Sequence, residues 1–434
     1  MAELQPLRGL HYELDRTGGL QQVLAPPYDV IDPAQRERLV ARSPYNAVVI
    51  DLPAGNGDRY ENAARQLHEW ERDGIVVRDD TPAIWLLAQE YTGPDGISRI
   101  RHGLLARVRV EEYGAGRIRP HERTHPGPKE DRLRLTRATR ANLSPIFSLY
   151  DDPNDTISTI LAELTSRPPL AEAIDDDGTE ERLWRVGEPE LIAIVQRTLA
   201  ATELLIADGH HRYETARAYA AEVASGAGHE SNRAQTAELQ EGPERYTLMC
   251  VVAFQDPGLT IFPTHRLVGG LTAEQREALA EAIRRDFESE ELGDTSQLEP
   301  SAEGELRIGY IDAQSKQPLM LMLKDQGIAD AALPDHAEPY RQLDTAVLEA
   351  LILKGALRMS DEQIDHLKGL GYARDAAEAV AQVERGDYDA AFFMAPVPVE
   401  RVRAVAAAGE SMPPKSTYFF PKVPTGLVFN PLWD

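Results

Sequence analysis

Only one cysteine, Cys250, occurs in the 434 residues, so the chain forms no internal disulfide and no cysteine-based zinc site. It lies in the apolar run Leu248-Met249-Cys250-Val251-Val252-Ala253-Phe254, where a thiol is expected as a buried strand residue rather than a nucleophile. Basic residues are scarce beside acidic ones: 46 Lys and Arg face 71 Asp and Glu, a formal charge of -25. A surface of that sign repels a polyanion and disfavours sequence-independent nucleic-acid binding. No segment approaches the roughly 18 apolar residues of a membrane span. The opening residues Met1-Ala2-Glu3-Leu4-Gln5-Pro6 contain no long apolar run, and a cytoplasmic location without membrane attachment is expected. Neither standard glycine-rich nucleotide loop is present, and no internal repeat is found. Any phosphate chemistry must therefore use another kind of turn.

What is present suffices for a large core. Hydrophobic residues make up 42% of the chain, and its length predicts two or three domains. Strand-like and helix-like patterns alternate, which predicts an α/β or α+β fold. Residues 83–91 and 97–110 read as a hairpin across Gly93-Pro94-Asp95-Gly96, Ala47-Val48-Val49-Ile50 as a short strand, and 259–268 as one strand. Helical spacing is expected over 157–164, 188–200, 272–288 and 346–353. The polar segment from Ser225 to Glu244 reads as an insertion or a lid.

One stretch organises the rest. Leu204-Leu205-Ile206-Ala207 is an apolar strand, Asp208-Gly209 is a turn, and Tyr213, Ala216, Ala220 and Val223 repeat at helical spacing behind it. His210, His211 and Arg212 then fall at a helix N-terminus, where free backbone N–H groups and the helix dipole favour phosphate. Gly209 permits close backbone approach, and Asp208 is left to face a metal ion or a hydroxyl. Taken singly, a histidine or arginine in a first turn is often only solvated; four polar residues behind a buried strand point to a site.

His121-Glu122-Arg123-Thr124-His125 matches the H-E-x-x-H zinc-protease pattern. Pro120 precedes it and Pro126, Gly127 and Pro128 follow at once, so no long helix is expected to hold both histidines on one face. Without zinc, Glu122 stands in a loop with His121, Arg123, Lys129 and Arg132, a setting that suits a general base beside anionic groups. A surface ion pair is the plainer alternative. Lys129, Arg132, Lys415 and His265 are further candidates for contacts to phosphate or to a substrate carboxylate.

Asp208-Gly209-His210-His211-Arg212, Pro120-His121-Glu122 and Pro414-Lys415-Ser416-Thr417 with Pro421 together resemble motifs of the free L-serine kinases of the ParB and sulfiredoxin-like superfamily. Over nearly its whole length the chain resembles a bacterial family labelled as a domain of unknown function, numbered ten-fifteen. That wider likeness includes Ala25-Pro26-Pro27-Tyr28-Asp29-Val30-Ile31, Asn142-Leu143-Ser144-Pro145-Ile146-Phe147 and Pro263-Thr264-His265-Arg266. The kinase resemblance implies a ParB/sulfiredoxin-like nucleotide-binding core over 96–255, an N-terminal α/β segment over 1–95, and a C-terminal α/β domain over 256–434 that closes over the site. It implies that Gly209, His210, His211 and Arg212 bind the phosphates of ATP or ADP and that Asp208 holds Mg2+. Glu122 then takes the proton of a serine hydroxyl, with Asp208 and His211 sharing in catalysis. Lys415, Ser416 and Thr417 belong to the loop expected over the amino acid. The additional residues between Glu122 and the Asp-Gly turn leave the acceptor less defined than the phosphate chemistry.

Two functions follow as expectations. One is a kinase that converts a free hydroxy amino acid, L-serine first, into its phosphate ester. The other is a ParB-like regulator that binds or hydrolyses nucleotide without a small acceptor; the acidic charge counts against DNA as its partner. The choice of donor and the oligomeric state stay open.

Overall fold

A computed structural model describes all residues except Met1, Pro94, 114–116, 123–125, 227–241, Glu303 and Asp434, and the side chains of Pro126, Pro128 and Asp365. Most of the expected lid or insertion, and His125 of the H-E-x-x-H match, thus lie outside the described residues. The chain divides into two compact units. The first comprises Met1–Pro120, Thr124–Leu259 and Pro421–Asp434; the second comprises His121–Arg123 and Thr260–Phe420.

A mixed nine-stranded sheet forms the first unit. From one edge the strands run Ile118–Arg119, Leu204–Asp208, Ile146–Tyr150, Tyr246–Ala253, Ser98–Arg109, Ile84–Thr92, Glu180–Val186 and Ala171–Ile174, and Leu4–Gln5 pairs with Ser98–Arg109. Two pairings, Leu204–Asp208 with Ile118–Arg119 and Tyr246–Ala253 with Ile146–Tyr150, are parallel. Every residue of Tyr246–Ala253 is buried, which is why that strand reads as an unbroken apolar run containing Cys250. Burial pushes the Cys250 thiol up to about 12, consistent with an inert core position. Helices Thr156–Thr165 and Pro189–Ala200 present Ile157, Leu161, Val195 and Leu199 to a core shared with Leu86, Leu104 and Val251.

The expected hairpin is present: Ile84–Thr92 pairs antiparallel with Ser98–Arg109. The boundary expected near residue 95 falls at the turn of that hairpin, so the first two expected segments share one sheet. Residues 421–434 also return to this unit, where Thr425 bridges Ala25 and Asn430–Pro431 pairs with Ala141–Asn142.

Two local expectations are overturned. Ala47-Val48-Val49-Ile50 is not a strand; Val48–Asp51 is a helical turn. Asn46 causes this, since its side chain accepts from Val48 N–H and donates to the carbonyls of Gln22 and Leu24, capping a turn where a strand would need a partner. The single strand expected over 259–268 is two, Thr260–Phe262 and His265–Val268, because Pro263 between them has no N–H to donate.

The second unit is built on a six-stranded antiparallel sheet in the order Phe287–Glu291, Leu319–Leu323, Arg307–Asp312, Ala390–Phe393, His265–Val268, Leu370–Ala373. Helix Ala273–Asp286 starts at a capping box made by Thr272 and Gln275 and packs Leu279 and Ile283 against Val268, Phe392 and Val347. The helix expected over 346–353 is Asp344–Leu348, which widens into a π-helical segment over Glu349–Ala356. Among the described residues no helix is long and apolar enough to cross a membrane.

Candidate functional site

The expected strand, turn and helix are present in the first unit as Leu204–Asp208, Gly209 and His210–Ala224. Against Ile146–Tyr150 the register of the strand shifts between Ile206 and Asp208, an irregularity in the ladder at the strand end that carries Asp208. Gly209 has φ +96°, and a Cβ there would meet Arg212 Nε at 2.9 Å, so the turn needs glycine for both conformation and space. Behind it, the wholly buried Tyr213 anchors the helix by donating its hydroxyl to Glu111 O at 2.9 Å.

Asp208 is held by two cations. Its Oδ2 accepts from Arg212 Nη2 and its Oδ1 from Lys422 Nζ, each at 2.5 Å. Burial alone would raise the Asp208 pKa, but the Lys422 ammonium and the Arg212 guanidinium outweigh it and hold the carboxyl well below the usual carboxylate range. Arg212 also donates to Pro145 O. Burial opposes its charge, yet Asp208 first, then Asp29 and Tyr28, raise its pKa. Burial pushes the Tyr28 phenol up to about 12.

Lys422 was not singled out from the sequence. Its position is set by a buried polar network on the central strands: Gln89 Nε2 donates to Lys422 O at 3.0 Å and to Glu181 Oε1 at 2.9 Å, and Arg101 Nη2 donates to Pro421 O at 2.6 Å and to Gln89 Oε1. The Arg101 guanidinium also lies 4.5 Å over the Phe147 ring. Burial pushes Glu181 up to about 8, against the hydrogen bond from Gln89 and the charge of Arg101. The only sequence signal was the stiff Pro421-Lys422-Val423-Pro424 segment, which fixes backbone direction without naming a partner.

Next to the turn lies a small cavity of about 40 Å³ whose walls include Tyr28, Asp51, Arg132, Ser144, Arg212 and Thr215. Arg132 is committed within this unit: it donates to Asp51 O at 2.6 Å and to Asp131 Oδ2, and stacks 4.1 Å over the Tyr28 ring. Ser144 Oγ donates to Asp51 Oδ2 at 2.6 Å. Lys129 pairs with Glu214. The buried Thr215 hydroxyl has no hydrogen-bond partner among the described residues.

The second unit gathers four of the other expected residues. Glu122 forms a parallel bridge with Met412, and Met412 N–H donates to His121 O at 2.7 Å. Across this bridge Lys415 N–H makes a long contact of 3.5 Å to Glu122 Oε1, and His121 Nε2 lies 2.9 Å from Thr417 Oγ1. Lys415 takes the left-handed conformation, with φ +57° and an exposed side chain. Ser416 is buried; its hydroxyl donates to Pro413 O at 2.7 Å and lies 3.0 Å from Thr345 Oγ1. His265 is not with them: it is wholly buried in the sheet, its Nδ1 accepting from Met394 N–H and its Nε2 lying 3.2 Å from Glu299 Oε1. Its neighbour Arg266 is the residue that reaches the loop, donating to Pro414 O at 3.0 Å. Strand alternation explains the exchange, since consecutive residues point to opposite faces.

The residues fit a phosphate. Helix His210–Ala224 starts at Gly209, which offers no side-chain cap, and Lys422 and Arg212 lie at this end of the helix. For magnesium they offer one carboxylate, Asp208, which suits the mode in which protein supplies one or two carboxylates and phosphate oxygens the rest. Among the described residues no three His, Cys, Asp or Glu side chains form a group able to hold a metal ion.

No curated protein matches the chain. Solved structures similar to it include a conserved hypothetical protein from Pyrococcus furiosus, at 15% identity, covering 74% of this chain and 93% of that one with a TM-score of 0.35. A free serine kinase in complex with AMP is 13% identical, covering 73% and 86% with a TM-score of 0.36. SbnI with a C-terminal truncation, from Staphylococcus aureus, is 13% identical, covering 73% and 82% with a TM-score of 0.35. The model of a protein family matches residues 4–346, across both units, and the chain belongs to that family, described as protein of unknown function DUF1015.

Proposed function

We propose that this protein is a small-molecule kinase that transfers the terminal phosphoryl group of ATP or ADP to the hydroxyl of a free amino acid, L-serine first, giving O-phosphoserine. The observation that carries the reading is the Asp208 turn, where a carboxylate with a depressed pKa, two cations and the start of a 15-residue helix converge. The motif resemblance to free serine kinases supports it, and with it a ParB/sulfiredoxin-like core in the first unit.

Phosphoryl transfer asks a protein mainly to position reactants and to neutralise charge. In this reading the first-turn N–H groups of the helix, His210, His211 and Arg212 bind the phosphates, and Lys422 adds a cation. Bound magnesium supplies further neutralisation of phosphate charge, with Asp208 as its protein ligand. Glu122 accepts the proton of the acceptor hydroxyl while that oxygen bonds to the terminal phosphorus and the bond to the nucleotide oxygen breaks. Lys415, Ser416 and Thr417 belong to the loop assigned to the amino acid; Lys129, Arg132 and His265, engaged within their own units, act by support rather than by contact.

The test is direct. The protein is incubated with Mg-ATP or Mg-ADP and a panel of hydroxy amino acids and polyols, and phosphorylated products are sought by mass. A phosphorylated amino acid that requires both protein and nucleotide supports the kinase. Nucleotide hydrolysis that no acceptor accelerates would replace it with the regulator.

A further inference from the structure

Arg266, in the second unit, is buried beside Pro263 and Thr264, and its guanidinium is spent on backbone oxygens and a ring. Nη1 donates to Thr264 O, Nη2 donates to Pro414 O at 3.0 Å, and the group lies 5.2 Å over the Tyr372 ring. Burial pushes its pKa down, against Tyr372, Asp344 and Glu349, which favour the charge. A planar fork can hold two carbonyls at once, which a lysine ammonium in the same place does less well.

The Pro414 carbonyl that Arg266 binds belongs to the same peptide unit as the Lys415 N–H, and that N–H reaches Glu122 Oε1 at 3.5 Å. In a trans peptide the C=O and N–H point in opposite directions, so one flat group carries the guanidinium at one end and the carboxylate at the other. Hydrogen bonds in such a chain polarise one another, and a cation on the carbonyl strengthens the N–H as a donor. The peptide is also held in place. Lys415 has φ +57°, a conformation that a lysine keeps only where its surroundings impose it. Ser416 N–H donates to Pro413 O at 3.3 Å across this turn, and Met412 N–H donates to His121 O at 2.7 Å, which fixes the backbone of Glu122 alongside.

We propose that Arg266 is a positioning residue for Glu122, acting through the Pro414–Lys415 peptide, whose N–H it fixes and polarises so that the donor orients the Glu122 carboxylate. This role rests on Glu122 being the base, as in the proposed function. A carboxylate held at one oxygen presents the other to the acceptor hydroxyl in a fixed direction, which is what proton transfer requires of a base.

With Mg-ATP or Mg-ADP and L-serine, kcat and KM are measured on the full chain for the parent, Arg266→Met, Glu122→Gln and the double variant. Arg266→Met should lower kcat by about tenfold and change the nucleotide KM by less than about twofold. In the Glu122→Gln background the same substitution should cost less than about twofold, because the group through which it acts is already gone; a merely structural loss would recur in full. Arg266→Lys, which keeps the charge without the fork, should fall between the parent and Arg266→Met, and it carries the same cycle if Arg266→Met does not fold. A second readout needs no turnover. In protein made with isotope-labelled lysine, the Lys415 amide proton, assigned by its loss in Lys415→Arg, should move upfield in Arg266→Lys as its hydrogen bond weakens. If the parent transfers no phosphate, the kinase reading falls and the Lys415 amide alone decides on Arg266. An amide that does not move, or equal losses of kcat with and without the Glu122 carboxylate, would overturn the proposal.

Discussion

Lys422 Nζ lies 2.5 Å from Asp208 Oδ1, although 214 residues separate them in sequence. The pair explains how a carboxylate stays ionised in a poorly solvated turn, and it places a cation beside the helix N-terminus where phosphate is expected to bind. In the proposed function, an arriving phosphate would meet Lys422 and Arg212 already oriented and compete with Asp208 for them.

Replacing Lys422 with Met should destabilise the first unit by about 1–3 kcal/mol, below the 3–5 kcal/mol typical of breaking a buried pair because Arg212 remains and the pair is partly exposed. The sign of the pH effect follows from the depressed Asp208 pKa. Its contribution is present above the unfolded carboxyl value, near 3.9, and is lost as pH falls through the lower folded value. Without Lys422 the folded value climbs back, so acid unfolding should begin at higher pH. Identical urea and acid unfolding curves for the variant and the parent would refute this.

Gly209→Ala should cost about 1–2 kcal/mol from the left-handed backbone alone, and more because the added Cβ meets Arg212 Nε at 2.9 Å. A thermal melt should show a lower midpoint, and Asp208 should lose part of its partnership with Arg212. An unchanged midpoint would mean that the turn relaxes freely.

Glu181 gives a pH dependence of the opposite sign. Burial raises its folded pKa to about 8, well above the usual carboxylate range. The stability it lends is complete below the unfolded value and lost as pH rises toward 8, at up to about 1.4 kcal/mol per pH unit. Glu181→Gln should flatten stability between pH 5 and about 8, read by urea unfolding across that range. A parent protein already flat there would show that the carboxyl titrates normally.

Glu122→Gln should reduce phosphoryl transfer by about 10² to 10⁴, because glutamine keeps an acceptor oxygen for Lys415 N–H but cannot take a proton. Product formation equal to the parent's would remove Glu122 as the base.

The strand, turn and helix around Asp208 were legible because period and turn chemistry are local, and Gly209 behaves as its position demanded. Lys422, Gln89, Arg101 and Glu181 were not, since nothing within a few residues of any of them says that strands Ile84–Thr92, Ser98–Arg109 and Glu180–Val186 lie side by side. Ala47 to Ile50 misled for a related reason: β-branched residues favour a strand, yet Asn46 capped a turn through bonds to Gln22 and Leu24 more than twenty residues away. His265 was taken for its chemistry when the alternation of the strand buried it and gave the loop contact to Arg266.

The central claim, that the Asp208 turn binds nucleotide phosphates, is tested most directly by calorimetric titration of Mg-ATP and Mg-ADP into the parent, Glu122→Gln and His211→Ala proteins. The account predicts that the parent and Glu122→Gln bind alike, and that His211→Ala binds at least tenfold more weakly because a donor to the phosphates is gone. Absence of nucleotide binding by the parent, or affinity in His211→Ala equal to the parent's, would contradict it.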